Sequence, residues 1–148
     1  MRKVKIDLRE LIDAFENCSL QHQYFLDTKN GEIIFISEYD DQNEDDQNEQ
    51  EQLYDKIDSD PQRYLKIPEY DSAQGYNDMV DFTNTVTDRN LQEKLEIALD
   101  GKGAFRRFKD VLFNYPSERE RWFKFKEERI RERIKNWLEE NEIQVTVD

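Results

Sequence analysis

Near the start of the chain, Leu8, Leu11, Ile12 and Phe15 recur at i, i+3, i+4 and i+7, the spacing of one buried helix face. Asp7 stands where an N-cap belongs, with Glu10 three residues on to complete a capping box, and Ile6 and Leu11 sit at staple spacing. The period then changes. Two β-prone runs, 24–27 and 32–37, flank Thr28-Lys29-Asn30-Gly31, and Gly31 supplies the positive φ that a hairpin loop with a bulge requires. The spacing predicts an antiparallel hairpin with Tyr24 and Leu26 on one face and Phe25 on the other. A third short strand is predicted at 64–67, ended by Pro68, which cannot donate to a ladder.

Helical spacing returns after that. Asp71 or Ser72 caps a segment with Tyr76, Met79, Val80, Thr83 and Val86 on one face, widened by Phe82. Thr87 or Asp88 starts the next, with Leu91, Leu95, Ala98 and Leu99 inward, and Asp100-Gly101 reads as its stop. In "GKGAFRRFKD" (101–110), Gly103 opens a turn into a further helix, where Ala104, Phe105, Phe108, Val111, Leu112 and Tyr115 follow at helical spacing. This predicts Phe105 and Phe108 as core anchors. Ser117 and Glu120 form a second capping box before a last helix over about 118–140, with Trp122, Phe125, Ile130, Ile134, Trp137 and Leu138 as its apolar stripe. Residues 143–147 alternate with period two and predict a final strand.

The predicted fold class is α+β: a small antiparallel sheet packed against four or five helices, in a single domain over 1–148. Residues 38–52 interrupt it. They carry eight acids, no base and no apolar period, and predict a flexible acidic loop.

These stretches, taken in order, resemble a bacterial family known as uncharacterised protein family 0158. The likeness rests on "YFLDTKNGEII", "YLKIPEYDS", "YNDMVDFTNTV", "LEIALDGKGAFRRFKDVL" and "WFKFKEERIRERIKNWL". They span most of the chain, and the block around "GKGAFRRFKD" is the most specific of them. The resemblance implies a small soluble bacterial protein and implies no reaction. The acidic stretch has no counterpart in it.

Composition sharpens the picture. Charged residues make up 39% of the chain against 36% hydrophobic, yet nine Phe, seven Tyr and two Trp provide large side chains to bury. The net charge of -13 is unevenly placed: 102–135 hold 12 Lys/Arg against 6 Asp/Glu, whereas 1–101 hold 10 against 25. Such a field repels nucleic acid at long range but leaves one basic segment for an anion or an acidic partner. Cys18 is the only cysteine, so neither an intramolecular disulfide nor a cysteine-rich zinc site is available. No signal-peptide core precedes the first helix and no apolar run reaches the ~20 residues of a membrane span, which predicts a soluble, cytoplasmic chain without a membrane partner.

Candidate chemistry is sparse. Gly101-Lys102-Gly103-Ala104 has neither the spacing nor the hydroxyl of a P-loop, and it follows a helix rather than the strand of a dinucleotide fingerprint. Lys102, Arg106, Arg107 and Lys109 are the candidate anion or partner contacts. Asp41, Asn43 and Asp45 match the first ligands of a calcium loop, but Asp46 replaces its glycine and Gln52 its closing Glu. Cys18 and His22 could pair as a nucleophile and base, but no third group orients them. No catalytic residue, cofactor or metal site is assigned. The function class this favours is a non-enzymatic interaction or regulatory protein acting through charged surfaces, with a protein partner or a second copy as its ligand. The alternatives are a nucleic-acid binder using the basic segment, and an enzyme whose carboxylate site cannot be picked out among 35 acids.

Overall fold

The structure, a computed structural model, describes residues 2–19, 22–37 and 44–146. The 38–43 part of the predicted acidic loop and Val147 of the predicted last strand lie outside the described residues. The fold is α+β, and its contacts divide it into two compact units, each with a core cluster of its own.

The first unit comprises residues 1–70 and 131–148. It opens with a strand, β1 (Arg2–Lys5), and a helix, α1 (Leu8–Asn17). The Asp7 carboxylate caps that helix by accepting from the amides of Arg9 and Glu10, and Leu11, Ile12, Ala14 and Phe15 turn inward. The hairpin follows as predicted: β2 (His22–Asp27) and β3 (Ile33–Ser37) pair antiparallel, with Gly31 at φ +80°. Next come α2 (Glu44–Ser59) and β4 (Tyr64–Lys66), which pairs antiparallel with β2 to give the sheet order β3-β2-β4.

One expectation is corrected here. From Glu44 onward the acidic stretch is helix, not loop. Its last turns explain why: Leu53, Tyr54 and Ile57 pack with Phe25, Ile36 and Tyr64, so the apolar end of α2 anchors a helix whose acidic start has no period of its own. The predicted final strand forms as β5 (Ile143–Thr146), outside the antiparallel sheet. It pairs parallel with β1, a strand the pattern did not predict.

The second unit, residues 71–130, is helical: α3 (Ser72–Thr85), α4 (Arg89–Ala98), α5 (Ala104–Phe113) and the first part of α6 (Pro116–Glu140). Asp71 and Asp88 supply the caps of α3 and α4. Pro116 takes the first position of α6, where its missing N–H is not needed, so the helix begins ahead of Ser117 and the predicted capping box falls inside the first turn. Phe108, Trp122 and Phe125 each meet Phe82 edge to face, their ring centres 5.4–6.3 Å from its own. Leu91, Leu95 and Leu112 close the cluster. Trp137, further along α6 and within the first unit, is half-buried and meets Phe15 edge-on at 5.6 Å.

Phe105 is a further correction. Phe108 is wholly buried, but Phe105 is 43% exposed. The buried positions of α5 are Ala104, Phe108 and Leu112, a strict i, i+4, i+8 line, and Phe105 lies about 100° around the helix from its start. Replacing Phe108 with Ala is therefore expected to cost about 3–5 kcal/mol, while Phe105→Ala is expected to change stability by no more than about 0.5 kcal/mol. Urea unfolding of the two variants checks the difference.

The first unit also holds a buried charge. Asp27, 2% exposed, accepts from Arg63 through both oxygens at 2.9 Å, and the Lys29 amide donates to it at 3.0 Å. The Arg63 hydrogen bonds are the largest influence holding the Asp27 carboxyl below its ordinary range. A depressed native pKa means that the unfolded chain binds the proton first. The stabilisation is complete above the unfolded value, about 3.9, and is lost as pH falls from there through the native value. Asp27→Asn is expected to cost about 2–3 kcal/mol at neutral pH and to flatten the acid limb of a stability–pH curve relative to wild type.

Candidate functional site

The segment 101–110 forms the turn from α4 into α5. Both glycines take positive φ, +84° at Gly101 and +79° at Gly103, which turns the chain sharply between the helices. Lys102, Arg106, Arg107 and Lys109 are all exposed, but they are not equivalent. Arg107 folds back on the end of α4: its Nε donates to the Ala98 carbonyl at 3.2 Å, and its two terminal nitrogens donate to the carbonyls of Asp100 and Lys102. Its guanidinium thus satisfies the Ala98 carbonyl at the C-terminus of α4, where a cation is also favoured by the helix dipole, and two carbonyls of the turn that follows. Among the described residues Arg106 makes a long, exposed contact with Asp110 at 3.9 Å, which is worth little.

Two more cations of the basic segment work inside the second unit. Arg121 binds Glu118 at 2.8 Å, donates to Thr85 Oγ1 and lies 4.4 Å from the Phe82 ring centre. Arg129 binds Asp81 at 2.9 Å and stacks on Phe125.

A different group stands out at the α5–α6 corner. Phe113 is 69% exposed and Phe123 is 51% exposed. The Arg119 guanidinium sits 5.8 Å from one ring centre and 5.3 Å from the other. Phe105, Lys109 and Phe113 are spaced i, i+4, i+8 on the exposed side of α5, so an aromatic and basic stripe runs along the helix into this corner. Sequence reasoning passed over Phe113, Arg119 and Phe123. The available signal was that both phenylalanines fall off the apolar stripes of their helices, as core rings do not.

The other candidates resolve into structure. Cys18 is buried and its thiol donates to the Ile67 carbonyl at 3.4 Å. Burial pushes its pKa up, which opposes the thiolate that a nucleophile needs. His22 faces Ser19 Oγ through Nδ1 at 3.3 Å and stacks on Phe35. Asp41 and Asn43 lie outside the described residues, and helix α2 from Glu44 through Gln52 replaces the loop that a calcium site would need. Among the described residues no cluster of His, Cys, Asp and Glu could hold a metal ion, and no helix is long and apolar enough to cross a membrane.

Comparison with known proteins gives a family without a reaction. The model of the family described as "Uncharacterised protein family (UPF0158)" matches residues 1–148. A UPF0158 protein of Pseudomonas aeruginosa is 31% identical over 97% of this chain and 88% of its own length. UPF0158 proteins of Chlamydia trachomatis and Chlamydia muridarum are 29% and 28% identical over 90% of this chain, which spans only 40% and 39% of their lengths. No solved structure matches.

Proposed function

We propose that this chain, which belongs to the uncharacterised protein family UPF0158, is a non-enzymatic cytoplasmic interaction or regulatory protein that docks an acidic protein partner on α5 and the α5–α6 corner. The observation that carries this reading is the exposed Phe113–Arg119–Phe123 group. A chain with so few apolar residues leaves two large rings in water beside a cation, although its own core does not use them. Covering one such ring with a partner contributes about 2–3 kcal/mol, and aromatic and arginine side chains together are the usual anchors of a binding hot spot. Lys102, Arg106 and Lys109 on the adjoining turn and helix set the charge of the partner as acidic.

A second reading has one observation in its favour: half-exposed rings beside a guanidinium are also what a single-stranded nucleic acid stacks upon. One variant separates the two. Phe113→Ala, Arg119→Ala, Phe123→Ala removes the surface and none of the core, so its melting temperature is expected to match wild type. Affinity capture from the native host is expected to recover an acidic protein with wild type and to lose it with the variant. Capture of the same proteins in the same yield by both forms would overturn the docking face. In a parallel titration with single-stranded DNA and RNA, no binding is expected even at low salt. Micromolar binding that weakens with salt and vanishes in the variant would transfer the surface to nucleic acid.

A further inference from the structure

The parallel pair β1–β5 has one edge already engaged. Gly31, in the hairpin loop, lies so close to the Lys5 carbonyl of β1 that a Cβ there would come within 1.9 Å of it. Arg2 of β1 donates through its side chain to Thr28 and to the Gln62 carbonyl. The other edge belongs to β5, and among the described residues β5 pairs with β1 alone. The backbone register says which groups face outward. The Arg2 amide donates to the Glu142 carbonyl at 2.9 Å, and Arg2 pairs with Ile143. Peptide groups alternate sides along a strand, so Gln144 turns its amide and carbonyl toward β1, while Ile143 and Val145 turn theirs to the free edge.

A cleft of about 530 Å³ runs beside that edge. It touches Ile143, Gln144 and Val145, three consecutive residues whose side chains alternate, so it follows the strand edge rather than one face. Its facing wall is a stripe of α6, with Ile134 and Leu138 as the apolar part and Arg131, Lys135 and Glu139 at the margin. From Arg131 to Glu139 the helix rises about 12 Å, close to the ~13 Å of a four-residue strand. All of these residues belong to the first unit.

We propose that this groove receives β5 of a second copy of the chain, antiparallel to its own β5, so that two β1–β5 pairs join as one four-stranded sheet. The contact is isologous and closes at two copies. It satisfies the outward amides and carbonyls that an open edge leaves unpaired. The strand that enters has the length of the groove that receives it. The two ends of the α6 stripe are complementary: a twofold axis reverses its order on the second copy, so Arg131 of each copy meets Glu139 of the other, with Lys135 at the middle.

Sedimentation velocity of the full chain across a micromolar concentration series tests this. A monomer–dimer equilibrium is expected. Val145→Pro removes one outward amide and leaves the pairing of Gln144 with β1, so it is expected to weaken the dimer at least tenfold with an unchanged far-ultraviolet circular dichroism spectrum. Glu139→Lys is expected to weaken it as well, and adding Arg131→Glu to the same chain is expected to restore it. The charge-exchange pair decides the matter if the proline variant fails to fold. A monomer at every concentration, or a dimer indifferent to these substitutions, would overturn the proposal and return the edge to an extended segment of another protein.

Discussion

The second unit depends on the packing of one ring. Phe82, wholly buried on α3, is met edge-on by Phe108 from α5 and by Trp122 and Phe125 from α6, and Arg121 lies over it. Four rings from three helices do here what a larger number of aliphatic side chains does in a more apolar chain. The geometry also limits which residues can join. Edge-to-face contact around Phe82 uses a single line on α5 and a single line on the start of α6. Phe105, Phe113 and Phe123 lie off those lines, so their exposure follows from the way the core is built, and the core does not need them.

The same division applies to the cations. Arg107, Arg121 and Arg129 have structural partners: helix-end carbonyls, a glutamate with a threonine, and an aspartate. Their guanidiniums also contribute area over aromatic rings or along backbone, which a point-like ammonium cannot do. Among the described residues, the exposed cations on the turn and outer side of α5 and Arg119 between its two rings are not part of that framework. The excess of positive charge along 102–135 therefore overstates the charge free at the surface, because a share of it is committed to holding the second unit together.

Local chemistry was legible in the sequence where it is self-contained. Asp7, Asp71 and Asp88 cap the helices they precede, the Asn30-Gly31 turn joins the strands on either side of it, and β4 ends before Pro68. What escaped depends on distant partners or on phase. β1 offers one apolar residue, Val4, and becomes a strand only because β5, at the far end of the chain, pairs with it. The acidic start of α2 shows no period, since its anchoring residues, Leu53, Tyr54 and Ile57, come only in the later turns. Phe105 shares helical spacing with Phe108 but sits at the margin of a buried line that begins at Ala104. The candidate site was half legible: the basic residues of 101–110 were visible as a cluster, whereas Arg107's structural task and the Phe113–Arg119–Phe123 group require the α5–α6 corner to be seen in space.

The phenylalanines of the second unit divide into a buried set that builds its core and an exposed set that the core does not use. Hydroxyl-radical footprinting of the free protein, read by mass spectrometry residue by residue, measures that division directly. Rapid labelling of Phe113 and Phe123 and strong protection of Phe82 and Phe108 are expected under native conditions. Protection of Phe113 and Phe123 to the level of Phe82 in the free monomer would contradict that division, because those rings would then belong to the core.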